Sequence, residues 1–154
     1  PKVVHFNARF GSPEAMNALP VLATDFVDLL VAGREGESLP ELEFEEQATV
    51  CKYAVPDGYP TDPKAGAKVA IDAESAGDAQ LFYASVDARE DGVYTTTSRS
   101  FGFVGIADDI AAAEELAATA LAEAGEEGLR VRHDIGTADL LQKRIDHMNE
   151  LRGR

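Results

Sequence analysis

Apolar residues recur along the chain with two different periods, and the change of period predicts where strands and helices lie. Closely spaced apolar residues at 3–6 indicate a short strand, which a Gly/Pro break at 11–13 ends. Residues 24–33 carry apolar side chains at helical spacing, with Thr24 or Asp25 as N-cap and Gly33 as the stop. The first part of the chain is therefore predicted to be strand, turn and helix.

A polar segment at residues 34–40, rich in Glu, Gly, Ser and Pro, predicts a domain boundary. Strand-like stretches follow at residues 48–55, 67–71, 80–85, 93–107 and 129–132. The stretch at 93–107 is long enough for a strand pair or one bent strand. An Asp-Gly pair within residues 90–93 predicts a hairpin turn just before it.

Two more helices are predicted in this second part, at residues 107–124 and 137–151. Asp108 or Asp109 is the expected N-cap of the first, and Asp134 or Thr137 that of the second. The residues expected to face inward are Ile110, Ala113, Leu116, Ala117, Ala120 and Leu121 in the first helix and Leu140, Leu141, Ile145 and Met148 in the second. The predicted fold class of this part is α+β, a small, curled, mostly antiparallel sheet with two helices.

Length and composition limit the number of domains and the classes of protein to consider. A length of 154 residues suits one domain, or one small domain with an appendage. No apolar run approaches the length of a membrane-spanning helix. The single cysteine, Cys51, excludes an internal disulfide, suits a reducing cytosol and is expected in the core of a strand. Because the chain begins without Met, we expect it to be a fragment, a processed product or a trimmed form of a longer protein.

The charge balance is strongly acidic, with 28 acidic against 14 basic residues and a net charge of −14. Such a field repels nucleic acids and anionic membranes, so neither is expected as a partner. Acidic, Ala-rich helices with few lysines are typical of proteins from salt-loving microbes, in which high salt screens carboxylate repulsion. An ordinary acidic cytosolic protein is the alternative.

Candidate chemistry lies in the first strand, where His5, Asn7 and Arg9 fall on one side because side chains alternate along a strand. An imidazole, an amide and a guanidinium before a Gly/Pro turn suit a phosphate or carboxylate site. The alternative is that these are turn and surface residues.

The sequence HFNARFGSPE at residues 5–14 closely resembles the motif E-F-N-x-R-F-G-D-P-E of the phosphoribosylamine–glycine ligase (glycinamide ribonucleotide synthetase) family. These are ATP-grasp enzymes of purine synthesis. Three later blocks, at residues 48–60, 97–107 and 132–136, extend the resemblance in the order of the C-terminal third of those enzymes.

The resemblance implies that residues 1–40 end an ATP-grasp domain, as its last strand and helix, and that residues 41–154 form the C-terminal domain. It implies a part in a cytoplasmic ligase that joins glycine to 5-phosphoribosylamine through a glycyl phosphate, using ATP and Mg²⁺ or Mn²⁺. The upstream domains of the same enzyme would be its partners, and the isolated piece is expected to be inactive. The alternative is a stand-alone, non-catalytic binding or assembly module derived from this ligase.

By the same resemblance, Asn7 is a metal ligand and Arg9 is a catalytic residue that holds reacting anions. His5 stands where the family has Glu, and Ser12 where it has Asp, so two carboxylates are lost. Imidazole suits Mn²⁺ better than Mg²⁺. His5 is alternatively a strand histidine with no metal role, and Arg9 is alternatively paired with Glu14.

Six more residues recur in the family-like blocks, and none is assigned a catalytic role. One alternative for Arg99 is that it reaches the nucleotide edge of the enzyme's active-site cleft. The sequence at 56–60 is most simply a rigid turn. The six are Lys52, Asp57, Tyr59, Arg99, Arg132 and Asp134.

Overall fold

A computed structural model describes residues 3, 6, 8–71, 74 and 76–153. The chain divides into two compact units, Pro1–Gln47 and Ala48–Arg154, which are described separately. The strand expected at residues 3–6 falls largely outside the described residues, and so do His5 and Asn7.

The first unit contains helix α1 (Glu14–Ala18), a 3-10 helix (Leu19–Val21) and helix α2 (Phe26–Glu35). Asp25 caps α2, because its carboxylate accepts hydrogen bonds from the N–H groups of Val27 and Asp28. The expected stop at Gly33 was wrong. The helix runs on to Gly36, whose left-handed conformation (φ 73°) ends it and which only glycine adopts without strain.

The segment after α2 returns to the start of that helix. Leu22 and Phe44 form an antiparallel bridge. The Thr24 hydroxyl accepts a hydrogen bond from the N–H of Glu43 at 2.7 Å and donates one to the carbonyl of Glu41 at 3.2 Å. Residues 41–45 are therefore paired with residues 21–24.

The described residues of the second unit form seven strands in two antiparallel sheets. One sheet has the order β3-β6-β1-β7 and the other β2-β5-β4. The strands are β1 (Ala48–Pro56), β2 (Lys68–Val69), β3 (Gln80–Tyr83), β4 (Val86–Arg89), β5 (Gly92–Thr95), β6 (Phe101–Ala107) and β7 (Leu129–Val131). The prediction of an α+β fold with mostly antiparallel strands and two helices is confirmed.

Residues 90–107 contribute strands to two different sheets, which the sequence did not predict. Strands β4 and β5 form the expected hairpin, with Arg89 opposite Gly92. Strands β5 and β6 lie in different sheets, so residues 93–107 are neither one bent strand nor a strand pair. The chain turns away at residues 96–100, where Ser98 and Ser85 bond to the side chain of Thr96.

Helix α3 (Ile110–Ala124) packs on β6 and β1. Asp109 caps it through the N–H of Ala112, at 2.9 Å. The close approach of helix and sheet needs Gly105, because a Cβ atom there would collide with the carbonyl of Ala113. The core beside α3 contains the edge-to-face pair Phe101 and Phe103, whose ring centroids are 5.7 Å apart.

The predicted buried face of α3 is confirmed at Ala113, Ala117, Ala120 and Leu121, while Leu116 is half-buried. Ile110 was expected in this face but is 43% exposed. It is the first residue of the helix, and the tight contact with the sheet begins one turn later, at Ala113.

Helix α4 (Ala138–Arg152) begins at Thr137, whose hydroxyl accepts from the N–H of Leu140. Leu140 and Leu141 are half-buried. The expectation that Ile145 and Met148 face inward was wrong, because they are 52% and 45% exposed and no residue of α4 is buried. The helix that packs on β1 and β6 is α3.

Candidate functional site

Arg9 is the one predicted site residue of the first unit that the structure describes. It is exposed, and its Nη1 donates to the carbonyl of Phe10 at 2.7 Å. Among the described residues no ion pair joins Arg9 to Glu14, which lies in the first turn of α1. His5 and Asn7 lie outside the described residues, so whether the three side chains converge stays a prediction.

In the second unit a buried lysine joins three segments. Lys52, in the middle of β1, is 1% exposed. It stands opposite Phe103 of β6, so its side chain lies on the sheet face that α3 covers. Its Nζ lies 2.7 Å from Oε1 of Glu114 on α3. It also donates to the carbonyls of His133 and Ile135, at 2.7 and 3.0 Å. All three N–H groups of the ammonium therefore have partners.

The loop at residues 132–137 turns two carbonyls towards Lys52 and its charged side chains outward. Arg132 and Asp134 form a two-pronged ion pair, with both N···O distances at 2.6 Å. The hydrogen bonds from Arg132 hold the pKa of the Asp134 carboxyl below its usual value. His133 is exposed, and its Nε2 lies 3.1 Å from Oε1 of Glu126.

The opposite face of β1 carries Cys51 and Tyr53. Burial raises the pKa of the Cys51 thiol to about 12, against a smaller opposing effect of the Arg99 charge. This confirms Cys51 as a core residue of a strand. The guanidinium of Arg99 stacks on the ring of Tyr53, 5.3 Å from its centroid. The structure thus gives Arg99 a packing role, and its role at a nucleotide is untested.

Backbone hydrogen bonds hold the turn at residues 56–60. The N–H of Asp57 donates to the carbonyl of Gly128, and its carbonyl accepts from Lys64. The N–H of Tyr59 donates to the carbonyl of Pro56. A Cβ atom on Gly58 (φ 79°) would collide with the carbonyl of Asp62. These contacts agree with a rigid turn.

The described part of the chain contains no group of three or more His, Cys, Asp or Glu side chains able to hold a metal ion. Within the same residues, no helix has the length and apolar character needed to span a membrane.

The Lys52–Glu114 pair was not found by sequence reasoning, although a signal exists. Lys52 interrupts the apolar run Val50, Cys51, Tyr53, Ala54, and a strand buried on both faces leaves a lysine no route to solvent. Glu114 likewise follows Ala113 at the edge of the buried stripe of α3. A lysine within an apolar strand and a glutamate at the edge of an apolar helix stripe favour a buried ion pair between them.

Comparison with known families gives a match over most of the second unit. The family described as phosphoribosylglycinamide synthetase, C domain, matches residues 49–138. Among curated proteins, the chain is 56% identical to the phosphoribosylamine–glycine ligase of Methanosarcina barkeri, over 99% of this chain and 35% of that protein. It is 52% identical to the ligase of the same name from Methanosarcina acetivorans, over 99% of this chain and 34% of that protein.

A solved structure agrees in fold. The crystal structure of the phosphoribosylamine–glycine ligase of Thermotoga maritima superposes with a TM-score of 0.71 at 24% identity, covering 87% of this chain and 33% of that one. The chain therefore spans about a third of the length of the curated relatives it matches.

Proposed function

We propose, because this chain belongs to the phosphoribosylglycinamide synthetase family, that it works as the C-terminal portion of a phosphoribosylamine–glycine ligase. The observation that carries the proposal is the 56% identity to such a ligase over 99% of the chain. The reaction is the ATP-dependent joining of glycine to 5-phosphoribosylamine in purine biosynthesis. It gives glycinamide ribonucleotide, ADP and phosphate, and it takes place in the cytoplasm.

In this proposal residues 1–40 complete an ATP-grasp domain and residues 41–154 form the C-terminal domain. The portion of the relatives that this chain does not match, about two-thirds of their length, contributes the remaining domains. This agrees with the second unit, in which two charged side chains of the family-like blocks are engaged within the unit itself. Lys52 is saturated by three partners, and Arg132 is held by Asp134.

We also propose that Asn7 binds the metal and that Arg9 holds a reacting anion. Arg9 is exposed, and its one described hydrogen bond uses only Nη1, which leaves the other edge of the guanidinium for a two-pronged contact. The donor set of Asn7 and His5 contains one amide oxygen and one imidazole and lacks a carboxylate, so it suits Mg²⁺ poorly and Mn²⁺ better.

A fusion protein tests the proposed function directly. The portion of the Methanosarcina barkeri ligase that precedes the matched segment is joined to this chain and assayed for glycinamide ribonucleotide and ADP. We expect the fusion to turn over, with formation of ADP dependent on glycine and phosphoribosylamine, and the 154-residue chain alone to be inactive. A folded fusion without activity would contradict the proposal and favour the alternative of a non-catalytic module. The matched control is the same fusion with the natural C-terminal portion.

A further inference from the structure

Lys52 is the one buried charged side chain among the residues that the structure describes. It lies in the residue block 48–60, and the carbonyls it binds lie in the block 132–136. Two separate family-like blocks therefore meet at one ammonium group.

Stability alone does not account for this arrangement. Removing an ammonium group from water costs several kcal/mol, and apolar residues of similar volume often replace a buried ion pair without loss of stability. What an apolar residue cannot do is bind the carbonyls of His133 and Ile135. These bonds hold the path of the loop at one place above β1.

A second contact confines the same loop. Gly136 has φ 84°, and a Cβ atom there would lie 2.7 Å from Cγ1 of Val50 and 3.0 Å from Cγ of Glu114. The loop is thus held against the elements that carry Lys52 and its partner. Thr137, the last residue of the loop, is the N-cap of α4, so the start of that helix is tied to the loop.

We propose that Lys52 is a positioning residue of the ligase, which fixes the 132–137 loop, with its outward Arg132–Asp134 pair, in the geometry that the reaction requires. This inference rests on the proposed function. It assigns Lys52 no contact with substrate, because its three N–H groups are all used within the second unit.

The test compares Lys52→Met and Gly136→Ala, singly and together, in the active fusion protein. Lys64→Met is the matched control, because that lysine is 70% exposed and pairs only with exposed Asp62 among the described residues. Hydrogen exchange of the amides at 133–137 measures the loop, and the amides of β1 and β6 report whether the sheet is intact. Values of kcat and KM are measured well below the unfolding temperature.

We expect the loop amides of Lys52→Met to exchange at least about tenfold faster, with the sheet amides unchanged. Its kcat/KM should fall at least about tenfold, since a misplacement of about 1 Å caused by a change far from the chemistry can lower a rate by more than this. The double variant should be no worse than the poorer single one, because both changes disturb one loop. If Lys52→Met fails to fold, Gly136→Ala alone carries the test and should show the same loss.

Two results would overturn the inference: unchanged exchange of the loop amides in the variant, or a loosened loop with kcat/KM within about twofold of the parent. An inactive parent fusion would count against the proposed function instead. In that case hydrogen exchange still decides whether Lys52 holds the loop.

Discussion

Lys52 and Glu114 form an ion pair of 2.7 Å between the middle of the sheet and the helix that covers it. The Lys52 side chain is 1% exposed and the Glu114 side chain 21% exposed. The ammonium group is therefore buried, whereas the carboxylate is partly accessible to solvent. Removing only one partner leaves the other charge without its counter-charge, whereas removing both leaves no charge to compensate.

Glu114→Ala should destabilise the second unit, because it leaves a buried ammonium without its counter-charge. We expect a loss of about 3 kcal/mol in the free energy of unfolding, at the lower end of the range for a broken buried pair. Urea unfolding monitored by circular dichroism measures it. Glu115→Ala, at the exposed neighbouring position, is the control and should change stability by less than about 0.5 kcal/mol. The double change Lys52→Met/Glu114→Leu should recover most of the loss, and a double variant as unstable as Glu114→Ala would contradict this.

Cys51 should be unreactive in the folded protein. Burial raises the pKa of its thiol to about 12, so almost no thiolate forms near neutral pH, and the thiolate is the reactive species. An aromatic disulfide reagent at pH 8 should label the folded chain slowly and the urea-unfolded chain completely. Rapid labelling without denaturant would show that the thiol is accessible.

The same shift gives a pH dependence with a definite sign. Above the unfolded pKa of about 9, the unfolded chain releases the thiol proton while the folded chain keeps it. The unfolded state then binds fewer protons, so stability falls as the pH rises towards 12. Cys51→Ser removes this contribution, and the unfolding free energy of the variant should depend less steeply on pH above 9.

The two helices of the second unit should differ in how strongly a substitution changes the stability of the protein. Leu121 of α3 is 1% exposed within the core, so Leu121→Ala should cost about 2–5 kcal/mol. Ile145→Lys and Met148→Gln on α4 lie at exposed positions and should each change the unfolding free energy by less than about 0.5 kcal/mol. Thermal unfolding of the three variants compares them directly. A large loss at Ile145 or Met148 would mean that α4 is covered.

The helices also show which structural features could be predicted from the sequence and which could not. Helix starts were predictable because caps are local, as at Asp109 and Thr137. The end of α2 was not, since Gly33 and Gly36 are both local candidates and only the left-handed turn at Gly36 decides between them. The apolar stripe of α4 predicted burial, but a stripe shows that a helix can be covered and not which surface covers it.

In the candidate sites, too, the local features could be predicted from the sequence and the contacts between distant residues could not. The apolar run around Lys52 indicates that this lysine needs a buried partner, but it does not identify the backbone carbonyls that Lys52 binds, which lie 81 and 83 positions away along the chain. At residues 5–14 the residue types by themselves predicted a phosphate or carboxylate site, and the metal and catalytic roles came from the resemblance. Its geometry at His5 and Asn7 lies outside the described residues and stays a prediction.

The acidic surface should make stability depend on salt. With a net charge of −14, carboxylate repulsion opposes the compact state, and added salt screens it. We expect the unfolding temperature to rise by several degrees between about 0.1 M and about 3 M KCl. Sucrose of equal osmolality is the control, because it stabilises without screening charge. A flat or falling unfolding temperature in KCl would argue against a salt-adapted surface.

The last prediction concerns His5, because it separates a retuned metal site from a residue with no metal role. In the active fusion, His5→Glu restores a negative charge and a hard oxygen at the position where the family motif has Glu. Losing a good metal contact typically costs a few kcal/mol, so this change should raise Mg²⁺-dependent kcat by about 100-fold, and Asn7→Ala should abolish activity. The parent should prefer Mn²⁺ to Mg²⁺, whereas His5→Glu should reverse that preference. His5→Gln is the matched control, since it supplies an oxygen without the charge and should recover only part of the Mg²⁺ activity. If His5→Glu leaves both the rate and the metal preference unchanged, His5 is not at the metal, and the alignment of this strand with the family motif is wrong for function.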